Sequence, residues 1–391
     1  MEKLRFLTSG ESHGPALLAI LEGLPAGLAI SEEFIAIQLK RRQQGYGRGG
    51  RMKIEQDFAK ILSGVRHGFT LGSPIGLQIQ NKDFENWREQ MANHPIDEQV
   101  KRVTKLRPGH ADQPGIFKYG HSDVRNILER ASARETAARV AAGAIAQRFL
   151  EEFGINLKSH VLSIGTITSN TAKNVDWEYV ENSPVRCADP EAEQKMIQLI
   201  DKTKKDGDTA GGIFEVIANG VPVGLGSHIQ WDKKLDAQIA QIMMSINAVK
   251  GVQIGDGFGN SRLPGSKVHD VIEFYPNDPL PFQHSTNRHG GIEGGMSTGQ
   301  PLVIQVAIKP ISTLSKPLPS VNMDTGEKVE AHYERSDVCQ VPPACVIGEA
   351  CLALVIADAI LEKFGGDNLK ETLNNYHNFQ DNLKQFPLNP K

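Results

Sequence analysis

Residues 106–153, LRPGHADQPGIFKYGHSDVRNILERASARETAARVAAGAIAQRFLEEF, are the stretch around which this chain is organised. The stretch opens as a loop rich in Pro and Gly that carries His110, and it closes as the strongest helix pattern in the sequence. Between the two stands Arg130-Ala131-Ser132-Ala133-Arg134-Glu135-Thr136. Ser132 followed three residues later by Glu135 is a capping-box pattern and sets a helix N-terminus here. Ala137, Ala138, Val140, Ala141, Ala142, Gly143, Ala144, Ile145 and Ala146 follow. Side chains this small let other backbones approach closely, which predicts a central, buried helix.

A helix N-terminus offers N–H groups that favour an anion. Arg125, Arg130 and Arg134 crowd around this one, and His110 arrives just upstream. A plain capped core helix with solvated arginines fits the same residues, so the local pattern leaves the anion site open.

Working outward, 391 residues suffice for one large domain or two or three ordinary ones. With 39% hydrophobic and 23% charged residues the composition is that of a soluble globular protein. A net charge of −3 argues against a dedicated nucleic-acid binder. The basic residues cluster, however. Lys40, Arg41, Arg42, Arg48, Arg51 and Lys53 form one acid-free run, and Lys101, Arg102, Lys105 and Arg107 another. Local basic patches on a near-neutral chain suit a small anionic ligand better than a polyanion. Cys187, Cys339, Cys345 and Cys351 form no CxxC, which fits reduced, buried thiols in a cytoplasmic protein. No signal-peptide pattern opens the sequence and no run of eighteen apolar residues occurs, so no membrane partner is expected.

Residues 4–9 and 16–21 read as strands around the polar turn Gly10-Glu11-Ser12-His13-Gly14-Pro15, which can present Ser12 and His13 at the edge of a core. Ser31 starts a helix ending in Lys40-Arg41-Arg42. The GxGxxG in Gly45-Tyr46-Gly47-Arg48-Gly49-Gly50 is no dinucleotide fingerprint, because a basic helix and not a strand precedes it. It reads as a loop able to fold arginines onto an anion. Residues 60–80 look like two antiparallel strands, and 82–105 like a polar excursion to the surface. Strands are expected around 155–168, 213–223 and 302–308, and helices over 191–205 and 232–244. A second helix full of small residues is expected from about 343 to 364. Residues 368–391 are a polar extension, read as an extra helix or a loose tail.

The coarse layout recurs in each half: strands, a helix, glycine loops, then a small-residue helix. This predicts an α+β fold, a single large domain over residues 1–367 built as two similar halves around the small-residue helices.

No GxSxG, P-loop or HExxH stands in a convincing context. Histidines on loops can exchange protons near neutral pH. Arginines can grip a carboxylate or phosphate. These parts point to an enzyme acting on a small phosphorylated or carboxylated compound. An anion- or RNA-binding protein using the Arg/Gly loop, and a lyase or transferase on phosphorylated compounds that needs no cofactor, are the competing classes.

Three long motifs then resemble the chorismate synthase family. They are Gly10-Glu11-Ser12-His13-Gly14, Arg130 to Thr136, and Arg335-Ser336-Asp337-Val338-Cys339 with Gly348-Glu349-Ala350. Ser245 to Gly259 fits as well, and the likeness runs from about residue 4 to 367. The resemblance implies a β-α-β sandwich, a homotetramer and a lyase of the shikimate pathway. Its reaction turns 5-enolpyruvylshikimate 3-phosphate into chorismate and phosphate by 1,4-anti elimination, with reduced FMN. Some members reduce the flavin with NADPH and others depend on outside reduction. Carried over by motif, the flavin site is Arg130, Ala131, Ser132, Asn247, Ala248, Gly294, Lys309, Pro310, Ile311, Ser312, Thr313 and Arg335. Arg42 and Arg48 match the arginines for the substrate phosphate or NADP. His13 is similar to the histidine that protonates the departing phosphate, and His110 to the one that protonates the reduced flavin. Asp367 matches the acid near flavin N5.

Overall fold

The computed structural model describes residues 3–49, 56–96, 100–170, 175–334 and 336–384. Two antiparallel sheets dominate. The first is built from β1 (Arg5–Ser9), β2 (Ala16–Glu22), β3 (Ala59–Ile61) and β4 (Ile75–Gln80) in the order β1-β2-β4-β3. Alternation sets its faces. Leu17, Ala19 and Leu21 of β2 and Ile75, Leu77 and Ile79 of β4 are buried, whereas Leu18 and Ile20 face outward.

The second sheet follows later in the chain. It comprises β5 (Asn156–Ile164), β6 (Ile167–Thr168), β7 (Gly212–Asn219), β8 (Val249–Ile254) and β9 (Leu302–Ile308), ordered β8-β9-β7-β5-β6. Phe214, Val216 and Ala218 of β7 register with Val306, Ile304 and Leu302 of β9, and all six are buried.

The helices α1 (Glu32–Gln43), α2 (Arg125–Ala131), α3 (Thr136–Glu151), α4 (Leu235–Met244), α5 (Val341–Phe364) and α6 (Leu369–Lys384) complete the frame. Of these α3 and α5 are the two small-residue helices, and each follows one sheet in sequence. α3 lies on β2 and β4, α5 lies on β5 and β7, and the two helices pack on each other. The approach is close because of glycine. A Cβ on Gly143 would stand 2.5 Å from that of Ala350, and one on Gly348 would stand 2.7 Å from the Phe214 ring. One connected core therefore runs from the first sheet through both helices to the second.

One expectation needs revision, and two become more definite. The capping box at Ser132 is only half formed. Ser132 Oγ accepts from the Arg134 N–H at 3.3 Å, but it caps a short 3₁₀ turn, Ala133–Glu135, and not the long helix. Glu135 turns away to pair with Arg139 at 3.0 Å, and α3 begins one residue later. α5 has the length and hydropathy of a membrane span, which counting uninterrupted apolar residues missed; 94% of its most apolar window is buried inside the protein, as in a core helix. The polar C-terminal stretch forms α6, whose Tyr376 sets its ring edge-on against Phe153 and Phe364 at 5.2 and 5.4 Å.

Candidate active site

A cleft of about 900 Å³ opens where the Ser12-His13 turn, the C-terminus of α1, the loop of His110, the α2–α3 junction and the strand ends at 247–250 and 308–313 converge. Among the described residues six cations line it: Arg42, Arg48, Arg107, Arg134, Lys250 and Lys309. Asp83, Glu334 and Asp337 are the carboxylates among its described lining residues.

His13 sits on the β1–β2 turn. Its Nδ1 lies 3.0 Å from both carboxylate oxygens of Glu129, and Glu129 also accepts the His13 backbone N–H at 2.8 Å. Burial pushes the Glu129 carboxyl up, but the bonds from His13 and Arg125 win and hold it below its ordinary range. A carboxylate only accepts, so Nδ1 carries a proton. The ring stacks on Trp87, centroids 4.1 Å apart.

His110 is oriented in the same manner. Its Nδ1 stands 2.5 Å from Asp112 Oδ1 and 3.0 Å from Arg107 Nη2. Burial raises the Asp112 carboxyl, but bonds from His110 and Arg107 hold it down at about 2. The ionised carboxylate accepts a hydrogen bond from Nδ1–H.

Arg42 and Arg134 share one buried carboxylate. Asp57 accepts from Arg42 at 3.2 Å and from Arg134 at 2.5 Å. Arg42 also donates to Thr136 Oγ1 and the Ala133 carbonyl, and Arg134 to Asn81. The two guanidiniums place positive charge in the wall, at the start of α3. Burial lowers Arg42 to about 10; Asp57 opposes the shift and the charges of Arg134 and Arg48 add to it. Arg48 pairs with Asp337 at 2.9 Å, and Asp337 also accepts the Gly49 N–H at 2.6 Å, which latches the Arg/Gly loop down. Ser132 Oγ donates to Ser12 Oγ at 3.2 Å. Asn247 donates to the Ala131 carbonyl at 3.1 Å, and its buried Oδ1 has no hydrogen-bond partner. Ala248 holds φ +68°, a strained value for alanine. Lys309 reaches the Gly109 carbonyl, and burial followed by the charge of Lys250 lowers its ammonium.

The cleft thus gathers His13, His110, Arg42, Arg48, Ala131, Ser132, Asn247, Ala248, Lys309, Ile311, Ser312 and Thr313. Four other expected residues are absent from its lining. Arg130 turns back to the Thr8 and Gly10 carbonyls and pins α2 to β1. Pro310 lies between two lining residues without facing the cleft. Gly294 is exposed in a hairpin turn, at φ +59°. Asp367 is exposed too, its N–H on Glu371 and its carbonyl on the Ala26 N–H. Arg335 lies outside the described residues. The acid of that motif that does line the cleft is Asp337.

Sequence reasoning missed Glu129, Asp112, Arg107, Asp57 and Trp87 as site residues. Three had a local signal: Arg107 and Asp112 lie within five residues on either side of His110, and Glu129 follows Arg125 at helical spacing. Asp57 had none, being 77 residues from Arg134. Trp87 was read as part of a surface excursion.

Residues 4–361 match the family model described as chorismate synthase. A chorismate synthase of Desulforamulus reducens is 54% identical over 389 residues, covering 98% of this chain and all of that protein. One from Geobacter metallireducens is 54% identical over 392 residues, with the same coverage. A crystal structure of chorismate synthase superposes with a TM-score of 0.80 at 43% identity, covering 98% of this chain and 99% of that one.

Proposed function

This chain belongs to the chorismate synthase family, and on that premise we propose how its cleft carries out the family's reaction. It is a carbon–oxygen lyase acting on phosphates, and it converts 5-enolpyruvylshikimate 3-phosphate to chorismate in the shikimate pathway. The observation that carries the assignment of roles is one cavity holding two carboxylate-oriented histidines and six cations.

Loss of phosphate builds negative charge on the leaving oxygens. Arg48, with the Arg42–Asp57–Arg134 group behind it, supplies preorganised positive charge there. His13, its Nδ1 fixed on Glu129, delivers a proton to the phosphate through Nε2. His110 holds its second proton position in the same way, with Asp112 behind it. The C6 proton needs an acceptor in the cleft. Asp337 lines it and Asp367 does not, so Asp337 takes that role.

The residues present suit FMN. The buried, unpartnered Asn247 Oδ1 is an acceptor for a ring N–H, and Lys309 and Lys250 suit an anionic group. Ala131, Ser132, Asn247, Ala248, Lys309 and residues 311–313 would hold it. When bound, reduced FMN supplies electron density to the reacting ring. A volume of about 900 Å³ lies near the top of the range for small-molecule sites, with room for a cofactor and a substrate together.

The layering of two sheets about a helical middle supports the family's β-α-β sandwich, and residues 1–367 form its catalytic domain. Exposed Phe117, Ile229, Trp231 and Phe258 support a homotetramer. In that assembly a neighbouring copy would bring Gly294 to the flavin. The enzyme works in the cytoplasm, and Arg48 serves the substrate phosphate or NADP.

The test is phosphate release with and without FMN, chemically reduced under anaerobic conditions. Release that requires reduced FMN is expected. Release without it would instead indicate a flavin-independent lyase. NADPH consumption by protein plus FMN decides whether the flavin is reduced here.

A further inference from the structure

Trp87 stands at the end of a 3₁₀ turn, Lys82–Asn86, in a segment whose polarity suggests mere surface. Asn81, immediately before that turn, is buried and ties it to the histidine loop. Its Nδ2 donates to the Glu11 and Gly14 carbonyls at 3.2 and 2.7 Å, and its Oδ1 accepts from Arg134. The turn is thereby anchored to the backbone on either side of His13. The indole then lies almost flat on the imidazole, 28° between planes and 4.1 Å between centroids. The Arg125 guanidinium stands 4.8 Å from the same indole, and Arg125 bonds the Glu129 that holds His13 Nδ1.

We propose that Trp87 is a positioning residue for His13, a flat wall that stops the imidazole rotating about its Glu129 bond and keeps Nε2 aimed into the cleft. The inference rests on the reading of His13 as the acid. Glu129 holds one ring atom, and the indole face holds the ring plane. An indole also favours the charged ring by cation–π attraction. Among the described residues, Glu129 and Arg125 of α2 are charged groups beside the histidine, and Asp83 lines the same cleft. Misplacing a reacting group by about 1 Å costs on the order of 10²-fold in rate.

Three measurements test this. Trp87→Leu should lower kcat by roughly 10- to 100-fold with KM and Tm nearly unchanged, and Trp87→Phe, which keeps a flat ring, should retain most of the rate. In a His13→Ala background, Trp87→Leu should cost nothing further, because it acts only through that ring. Trp87 emission, isolated as the difference between wild type and Trp87→Phe, should shift in intensity or wavelength in His13→Gln, because the ring stacked on the indole is gone. Full kcat in Trp87→Leu, an additive loss in the His13→Ala background, or emission indifferent to His13→Gln each overturns the proposal while leaving His13 as the acid. A fully active His13→Ala overturns both.

Discussion

His110 Nδ1 lies 2.5 Å from Oδ1 of Asp112, a carboxylate that is fully buried and held down at about 2. Arg107 Nη2 stands 3.0 Å from the same ring nitrogen and can only donate. One nitrogen cannot receive from the guanidinium and give to the carboxylate at once. The shorter contact to an ionised acceptor decides in favour of Nδ1–H, which leaves Nε2 as the working atom.

Asp112→Asn keeps the shape but can offer Nδ1 either a donor or an acceptor, so the tautomer is no longer set. Turnover with reduced FMN should fall by on the order of 10²-fold, at the low end for a mis-set acid–base group. Steady-state kinetics under anaerobic conditions measure this, and an unchanged kcat would remove Asp112 from the mechanism.

The same carboxylate makes stability depend on acid. Its folded value, about 2, lies below the ordinary 3.8, so its contribution is present above about pH 4 and is lost as pH falls toward 2. The shift corresponds to about 2 kcal/mol. Glu334, also held at about 2, titrates in the same window; burial raises it, and the His332 bond with the charges of Arg107 and Arg125 lowers it further. Urea unfolding at a series of pH values should show the gap between wild type and Asp112→Asn closing between pH 5 and 2. A constant gap would mean that Asp112 is not ion-paired in the fold.

Asp57 bridges two buried guanidiniums, Arg42 and Arg134. Asp57→Asn leaves Arg42 and Arg134 facing each other, and the loss should be about 3–5 kcal/mol, the usual result of breaking a buried pair from one side. Chemical denaturation reads it directly. A loss below about 1 kcal/mol would show that the charges are solvated after all.

At Gly143 two effects compete. Alanine in a helix interior is worth about 1 kcal/mol over glycine. Here its Cβ would stand 2.6 Å from the Ala350 carbonyl oxygen, which belongs to a packed helix and cannot step aside. Overpacking costs typically 1–3 kcal/mol, so Gly143→Ala should lower Tm. A higher Tm would show that α3 and α5 can separate freely.

Arg48→Ala removes a charged donor from the cleft mouth and frees Asp337. Affinity for the phosphorylated substrate should drop by about tenfold or more, the size of a hydrogen bond to a charged group, with flavin affinity little changed. Paired titrations check this, and the reverse pattern would move Arg48 into the flavin site.

Much of this protein is written locally. Short apolar runs bounded by Gly and Pro turns marked β2, β4, β7 and β9, and runs of small residues marked α3 and α5 as the central pair, because composition and side-chain size act over a few residues. Loop histidines and clustered arginines pointed to a small anion, and three ordered motifs pointed to the family. Tertiary structure alone decided which acid meets which base. Glu129 reaches His13 across 116 positions, Asp57 joins Arg42 to Arg134, and Trp87 lands on His13 from a segment that reads as surface. It also turned Arg130 into a strap on β1 and set Asp337, not Asp367, in the cleft. The physical reason is one of range. A hydrogen bond or ring stack depends on where the packed layers bring distant loops together, and no local pattern encodes that distance.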